Sequence, residues 1–236
     1  MELAAIVAIL CLATLFHGTL GFGTGLVAMP LLTLVIGVQN ATALVAFVIV
    51  STTIVLLRRN WCHLDRRAAI QLIVSSIPGV PIGIFVLTNA PVDVIQRVLG
   101  VLLIAYALYS LLGAPLFKAR QSTWAYGLGF ASGILGGAYN TNSPPVLVFG
   151  TLRRWPPNVF RTTLQAYFLP LAIIVWLAHG VSGLWTQDIV VAYAVYLPFG
   201  LVALWATHRV AGHIPVASFQ RVLYIAVIAL GALLLV

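Results

Sequence analysis

Charge is scarce in this chain: 7% of its 236 residues are Asp, Glu, Lys or Arg, and four are acidic. Set against 62% hydrophobic residues and a mean hydropathy of +1.10, that scarcity excludes a water-soluble domain. Cysteine is nearly absent. Cys11 lies in an apolar run and Cys62 in a basic loop beside His63, which gives neither a disulfide framework nor a four-ligand metal centre. The acidic residues Glu2, Asp65, Asp93 and Asp188 fall at termini or loops, so a buried cation would lack a counter-charge, which argues against a dedicated metal-cation pathway. The marks of an enzyme are missing too: no buried carboxylate pair, no Gly-x-Ser-x-Gly elbow, no His-Glu-x-x-His, and no call for a cofactor. The net charge of +8 does not indicate nucleic acid, because the basic residues are scattered at segment ends rather than gathered on one face.

What is present is a set of apolar segments long enough to cross roughly 30 Å of hydrocarbon as helices. The expectation is an all-α integral membrane protein, with the lipid bilayer as its first partner. Six stretches read as ordinary spans: 41–57, 68–88, 94–114, 160–180, 188–207 and 217–236. Two others, 3–37 and 121–152, are too long for one crossing and are interrupted midway by helix breakers, Gly18 to Gly25 and Gly136 to Pro145. With no basic residue ahead of Met1-Glu2, the first segment reads as mature protein rather than a cleavable signal. Trp61, Trp155 and Trp185 fall at segment ends, the level of the lipid headgroups.

The chain also repeats itself. Pro91-Val92 with Gln96-Arg97-Val98-Leu99 recurs as Pro215-Val216 with Gln220-Arg221-Val222-Leu223. Upstream, Gly18 aligns with Gly133, Gly21 with Gly136 and Pro30 with Pro145. The predicted organisation is therefore two repeats, 1–115 and 121–236, each a broken hairpin followed by three spans. Charge indicates how they thread, since Lys and Arg collect in cytoplasmic loops. If each broken segment returns to its starting side, Arg58, Arg59, Arg66, Arg67, Lys118, Arg120, Arg153, Arg154, Arg161, Arg209 and Arg221 share one side, with Arg97 opposite. A single crossing would split the twelve six against six. The returning arrangement is expected: hairpins that parity allows to be re-entrant or two short full crossings, the central glycines and prolines favouring the former, in two inverted-topology repeats with both termini on the outer side of the cytoplasmic membrane.

Non-helical backbone at membrane depth is tolerated only inside protein or beside a wet cavity, so the two breaks mark a cavity. Free N–H groups and the positive end of a helix dipole gather where each second half-helix begins, and such an end suits an anion. The candidate substrate-binding residues are His17, Gly21, Phe22, Gly23 and Thr24 at the first break, Tyr139, Asn140, Thr141 and Asn142 at the second, and Gln165 in the span that follows. His17 is the titratable group placed inside the hydrocarbon besides tyrosines and Cys11, suited to hold an oxyanion or a coupled proton. Against these stand plainer roles: a histidine bonded to a nearby carbonyl, Asn and Thr capping a half-helix, and Ser51, Thr52, Thr53, Thr162 and Thr163 bonding their own helices. Arg161 reads either as a topology-setting cation or as the mark of an inner mouth that draws anions.

The Gly-Phe-Gly-Thr-Gly break running to Pro30, Pro-Gly-Val-Pro-Ile-Gly at 78–83, and the glycine-rich second break ending at Pro144-Pro145 together resemble the sulfite exporter TauE/SafE family of membrane transporters. That resemblance covers nearly the whole chain. It implies a secondary transporter of small sulfur-containing anions, sulfite, thiosulfate or organosulfonates, with a proton or sodium ion as the available coupling partner. Alternating access by one half rocking against the other is the expected mechanism, and an anion channel with the same cavity is the alternative.

Overall fold

The computed structural model describes residues 2–57, 64–112, 123–210 and 216–235. Arg58, Arg59, Trp61, Cys62, His63, Lys118, Arg120 and Pro215 lie outside the described residues. The fold is all helical: α1 (Glu2–Leu20), α2 (Thr24–Ile36), α3 (Val38–Leu57), α4 (Arg66–Ser76), α5 (Gly79–Asn89), α6 (Val92–Leu112), α7 (Trp124–Tyr139), α8 (Ser143–Leu152), α9 (Pro157–Val181), α10 (Gln187–Val210) and α11 (Val216–Leu233). Helices are the required solution for such apolar runs, since an unpaired amide in hydrocarbon costs several kcal/mol. Among the described residues five helices are long and apolar enough to cross a membrane, and α4 with α5, bent by 40° at their break, counts as a sixth if the pair is one span.

That bend falls inside the expected span 68–88, at Pro78. Proline has no N–H to donate, so α4 closes with Ile77 N–H on Ile73 O at 3.2 Å and α5 starts afresh at Gly79. At the other end of α4 the Asp65 carboxylate accepts from Ala68 N–H at 3.1 Å, a side-chain cap.

Both expected breaks are present. Leu20 and Tyr139 close the first limbs, and Thr24 and Ser143 open the second. The limbs are unequal: at 1.5 Å per residue α1 and α7 run about 28 and 24 Å, α2 and α8 about 20 and 15 Å. The breaks are spaced four residues further apart than the Gly18–Gly133 offset, one helical turn later in the second half.

Helices α3 and α9 pack on each other at the centre of the bundle. α3 is 61% buried over its span, against 28% for α6. Around them α1 lies on α10, α7 lies on both α4 and α5, and α6 lies on α11. The α5–α7 contact is backbone to backbone. A Cβ on Gly79 or Gly83 would run into the α7 main chain, and one on Gly137 into that of α5. Apolar side chains such as Ile70, Phe85, Val101 and Val202 are exposed on the outer faces, as a lipid-facing surface requires. Two of the indoles expected at the headgroup level, Trp155 and Trp185, pack on neighbouring aromatic rings. Trp155 packs edge-on to Phe149 at 5.5 Å, and Trp185 lies 4.4 Å from Trp176 beside Phe47.

Candidate functional site

The first tip is built from two glycines that leave the right-handed helical region, Gly21 at φ 85° and Gly23 at φ 108°. An L side chain is strained at such angles, so the chain turns here and α2 restarts. His17, one turn before the break and 3% exposed, reaches across it, its Nδ1 hydrogen-bonded to Thr24 Oγ1. Its Nε2 has no partner among the described residues. The Gln165 carboxamide lies against the imidazole. Gln165 Nε2 donates to Gly21 O at 2.5 Å, while its Oε1 is also buried without a partner. Arg161, one turn earlier on the same face of α9, donates through Nη2 to Thr19 O at 3.0 Å. Arg161 and Gln165 thus clamp two carbonyls that the end of α1 leaves open.

At the start of α2, Gly23 O takes the Val27 N–H at 3.1 Å, and the N–H groups of Thr24, Gly25 and Leu26 find no acceptor among the described residues. Gly23 is buried, yet the position a Cβ would occupy faces open space. Open space thus lies beside Gly23 at the start of α2, and in the same tip the imidazole and the carboxamide are packed together with Nε2 and Oε1 unpartnered among the described residues. Each orphaned buried polar group costs about 1–3 kcal/mol, so a water or a ligand belongs there.

The second tip is different in kind. Asn140 turns the chain in the left-handed region at φ 49°, a conformation that asparagine tolerates better than most residues with a Cβ, and its N–H bonds Gly136 O at 2.9 Å. Its side-chain Nδ2 donates to Thr42 O at 2.6 Å. Thr141 Oγ1 donates to Tyr139 O at 3.0 Å, and the Tyr139 hydroxyl donates to Ile95 O at 3.1 Å, towards α6. Asn142 stands at the N-cap of α8 but makes no side-chain cap. Its carbonyl accepts from Ser132 Oγ at 2.5 Å, Ser132 accepts from the Tyr167 hydroxyl at 2.6 Å, and Tyr167 meets Ser76 Oγ at 2.9 Å. Pro144 and Pro145 remove two of the first amide donors of α8. The polar groups of this tip are largely engaged in holding its shape.

The two tips touch. A Cβ on Gly25 would collide with the Asn140 carbonyl and lie 3.2 Å from Thr141 Oγ1. The structure thus brings His17, Gly21, Gly23, Thr24 and Gln165 into one cluster with Asn140 and Thr141 against it. Phe22 is buried in the core, Tyr139 is directed to α6, and Ser51 and Thr52 bond carbonyls of their own helix. Thr163 Oγ1 accepts from Asp65 N–H at 3.1 Å, a loop contact.

Residues outside the sequence-based set also contribute. His179 is fully buried near the end of α9, with Nε2 3.0 Å from Gly137 O of the second tip. Its place at the edge of the expected span 160–180 hid it. A cavity of about 360 Å³ lies beyond the second tip between α6 and α7–α8, lined by Leu99, Leu103, Leu135, Val148 and other mostly apolar groups. It offers an anion little.

A polytopic helical bundle whose buried polar groups converge on two broken helices, with no described cluster of three His, Cys, Asp or Glu for a metal ion, is the architecture of a membrane transporter. Residues 6–234 match the family described as sulfite exporter TauE/SafE, and the chain belongs to that family of membrane transporters, which are not enzymes. It is 24% identical over 242 residues to the "Probable sulfite/organosulfonate exporter TauE" of Cupriavidus necator, covering 100% of this chain and 94% of that protein. No solved structure matches it.

Proposed function

We propose that this protein is a secondary transporter that moves a small sulfur-containing anion, sulfite, thiosulfate or an organosulfonate, across the cytoplasmic membrane by alternating access. The observation that carries the reading is the first tip itself, where the start of α2 has open space at Gly23 and the buried His17 Nε2 and Gln165 Oε1 lack partners among the described residues. With Thr24 donating its hydroxyl proton to Nδ1, Nε2 carries the ring hydrogen, and an oxyanion accepts from it and from the amides together. The Gln165 Oε1 is then the acceptor for the substrate's own proton or amine, or for a coupled proton.

The twofold repeat, with boundaries at 1–115 and 121–236, is supported by the exchange of helix partners between halves, while the placement of both termini outside rests on the distribution of basic residues. α1 packs on α10 as α7 packs on α4–α5, and α3 packs on α9 as α6 does on α11. Such interlocking favours moving units that draw helices from both halves over one half rocking on the other. The family match and the exporter-named relative favour sulfur anions over other oxyanions.

Purified protein in liposomes tests the proposal. Sulfite, thiosulfate, taurine and sulfoacetate are supplied in turn, and at least one gives saturable flux that trans-substrate accelerates. Currents without saturation or counterflow indicate the channel with the same cavity, and neither flux nor thermal stabilisation by any of the four removes the substrate assignment.

A further inference from the structure

We infer that Arg161 is the specificity-determining cation of the transport site, the group that selects and guides an anion into the first tip. The inference rests on the transport reading above and goes one residue beyond it. Arg161 is exposed, so water and solutes reach its guanidinium, while Nη2 holds Thr19 O at 3.0 Å and its Cγ lies 3.8 Å from the Gly21 Cβ position. One turn further along α9, Gln165 holds Gly21 O at 2.5 Å and lies against His17. The sequence of contacts from solvent to the buried amides of α2 is therefore Arg161, then Gly21 and Gln165, then His17 and Thr24.

A guanidinium has five N–H donors, and one is used on Thr19 O, which leaves the others to an approaching oxyanion. Among the described residues no carboxylate neutralises it. Asp65, the acidic residue that reaches this part of α9, is engaged by Arg153 at 3.8 Å and by the α4 cap.

The other half of the chain shows that the cation is not a requirement of the fold. Arg161 and Gln165 are the fifth and ninth residues of α9, and the fifth and ninth residues of α3 are Thr42 and Ala46. At the second tip Asn140 donates to Thr42 O, with no charge at all. A tip can be held by a neutral contact, so the charge at the first tip is available for something else. A fixed positive charge beside a partly desolvated entrance raises the local anion concentration, and salt screens that effect.

The test uses the full chain in liposomes, with counterflow of whichever sulfur anion the panel above identifies. R161Q, which keeps a donor for Thr19 O but loses the charge, raises the half-saturation concentration by about tenfold and leaves the maximal rate within about twofold. R161K keeps most of the wild-type affinity. In the wild type the half-saturation concentration rises as ionic strength goes from about 0.01 to about 0.15 M, and in R161Q that dependence flattens. A carbonyl clamp alone gives the opposite split, with lower maximal rate or folded yield in both variants at unchanged half-saturation, and this overturns the inference. If R161Q does not fold, a wild-type half-saturation indifferent to salt overturns it equally. Absence of saturable flux of any anion from the wild type is a different result, which removes the transport reading and this inference with it.

Discussion

At the scale of single residues, the first tip is a cluster of groups that want partners. His17 is buried with one ring nitrogen satisfied by Thr24 and the other open. If Nε2 donates to the anion, His17→Ala removes a charge-assisted hydrogen bond worth about 1.5–3 kcal/mol, a loss of roughly 10- to 100-fold in apparent affinity. His17→Gln, which restores a donor, recovers part of it. Transport kinetics on protein of normal membrane yield measure both, and wild-type affinity in His17→Ala would take this side chain out of the site. Gln165→Leu tests the clamp itself. Gly21 O then loses its donor in a buried setting, for about 1–3 kcal/mol of stability, visible as a lower unfolding temperature in detergent. The first-tip residues were legible because a lone histidine beside a glycine run at mid-segment is unusual in an apolar chain. Arg161 was read as a topology-setting cation or the mark of an inner mouth, but its clamp on Thr19 O was not legible, nor was the contact of His179 with Gly137 O, because each carbonyl is more than 40 residues away and no local pattern announces such a contact.

At the scale of helices, glycine decides how closely limbs can approach. Alanine is the better helix former by about 0.8–1.0 kcal/mol, so propensity alone predicts that any Gly→Ala change in these helices stabilises. Packing predicts the reverse at Gly83, where a Cβ meets the Ile134 carbonyl and the Ala138 amide of α7. Forced overpacking costs about 1–3 kcal/mol, which exceeds the gain, so Gly83→Ala lowers the unfolding temperature. Gly127 is the control on α7 itself: nothing lies near its Cβ position, and Gly127→Ala holds or slightly raises stability. Two thermal melts in the same detergent decide the matter, and equal behaviour of the two variants would refute the close-packed α5–α7 contact. The positions of the breaks were readable from Gly, Asn and Pro, which act locally through φ and the missing proline N–H. The bend at Pro78 was readable only as a loosened helix. The chemical difference between the tips was not readable, since both carry small and polar residues, and only the partners show that the Asn140 and Thr141 side chains are occupied.

At the scale of the molecule, the arrangement of partners matters more than the order of helices. Each repeat lacks its own cover. α1 lies on α10, α7 on α4 and α5, α3 on α9 and α6 on α11, and each of these pairs joins the first half to the second. The glycine face of α7 packs on α4 and α5 of the first half, so a first half made alone exposes α4 and α5, and a second half made alone exposes α7. Lipid is a poor substitute for a close-fitting helix, because helix association in a bilayer depends on close van der Waals packing rather than on escape from water. Charge could indicate how the segments thread without indicating that the halves interlock, because basic residues record which side a loop is on, not which helix a span lies against. Separate expression of 1–115 and 121–236 is therefore expected to give two fragments that are each unstable in detergent, while their co-expression restores a complex that co-purifies on a tag carried by either one. The complex also recovers counterflow if the proposed site is the transport site, because that cluster takes His17 and Thr24 from the first fragment and Arg161 and Gln165 from the second. Stable, monodisperse fragments that ignore each other would show that the halves fold as independent domains, and the shared site at the first tip would then have to be abandoned.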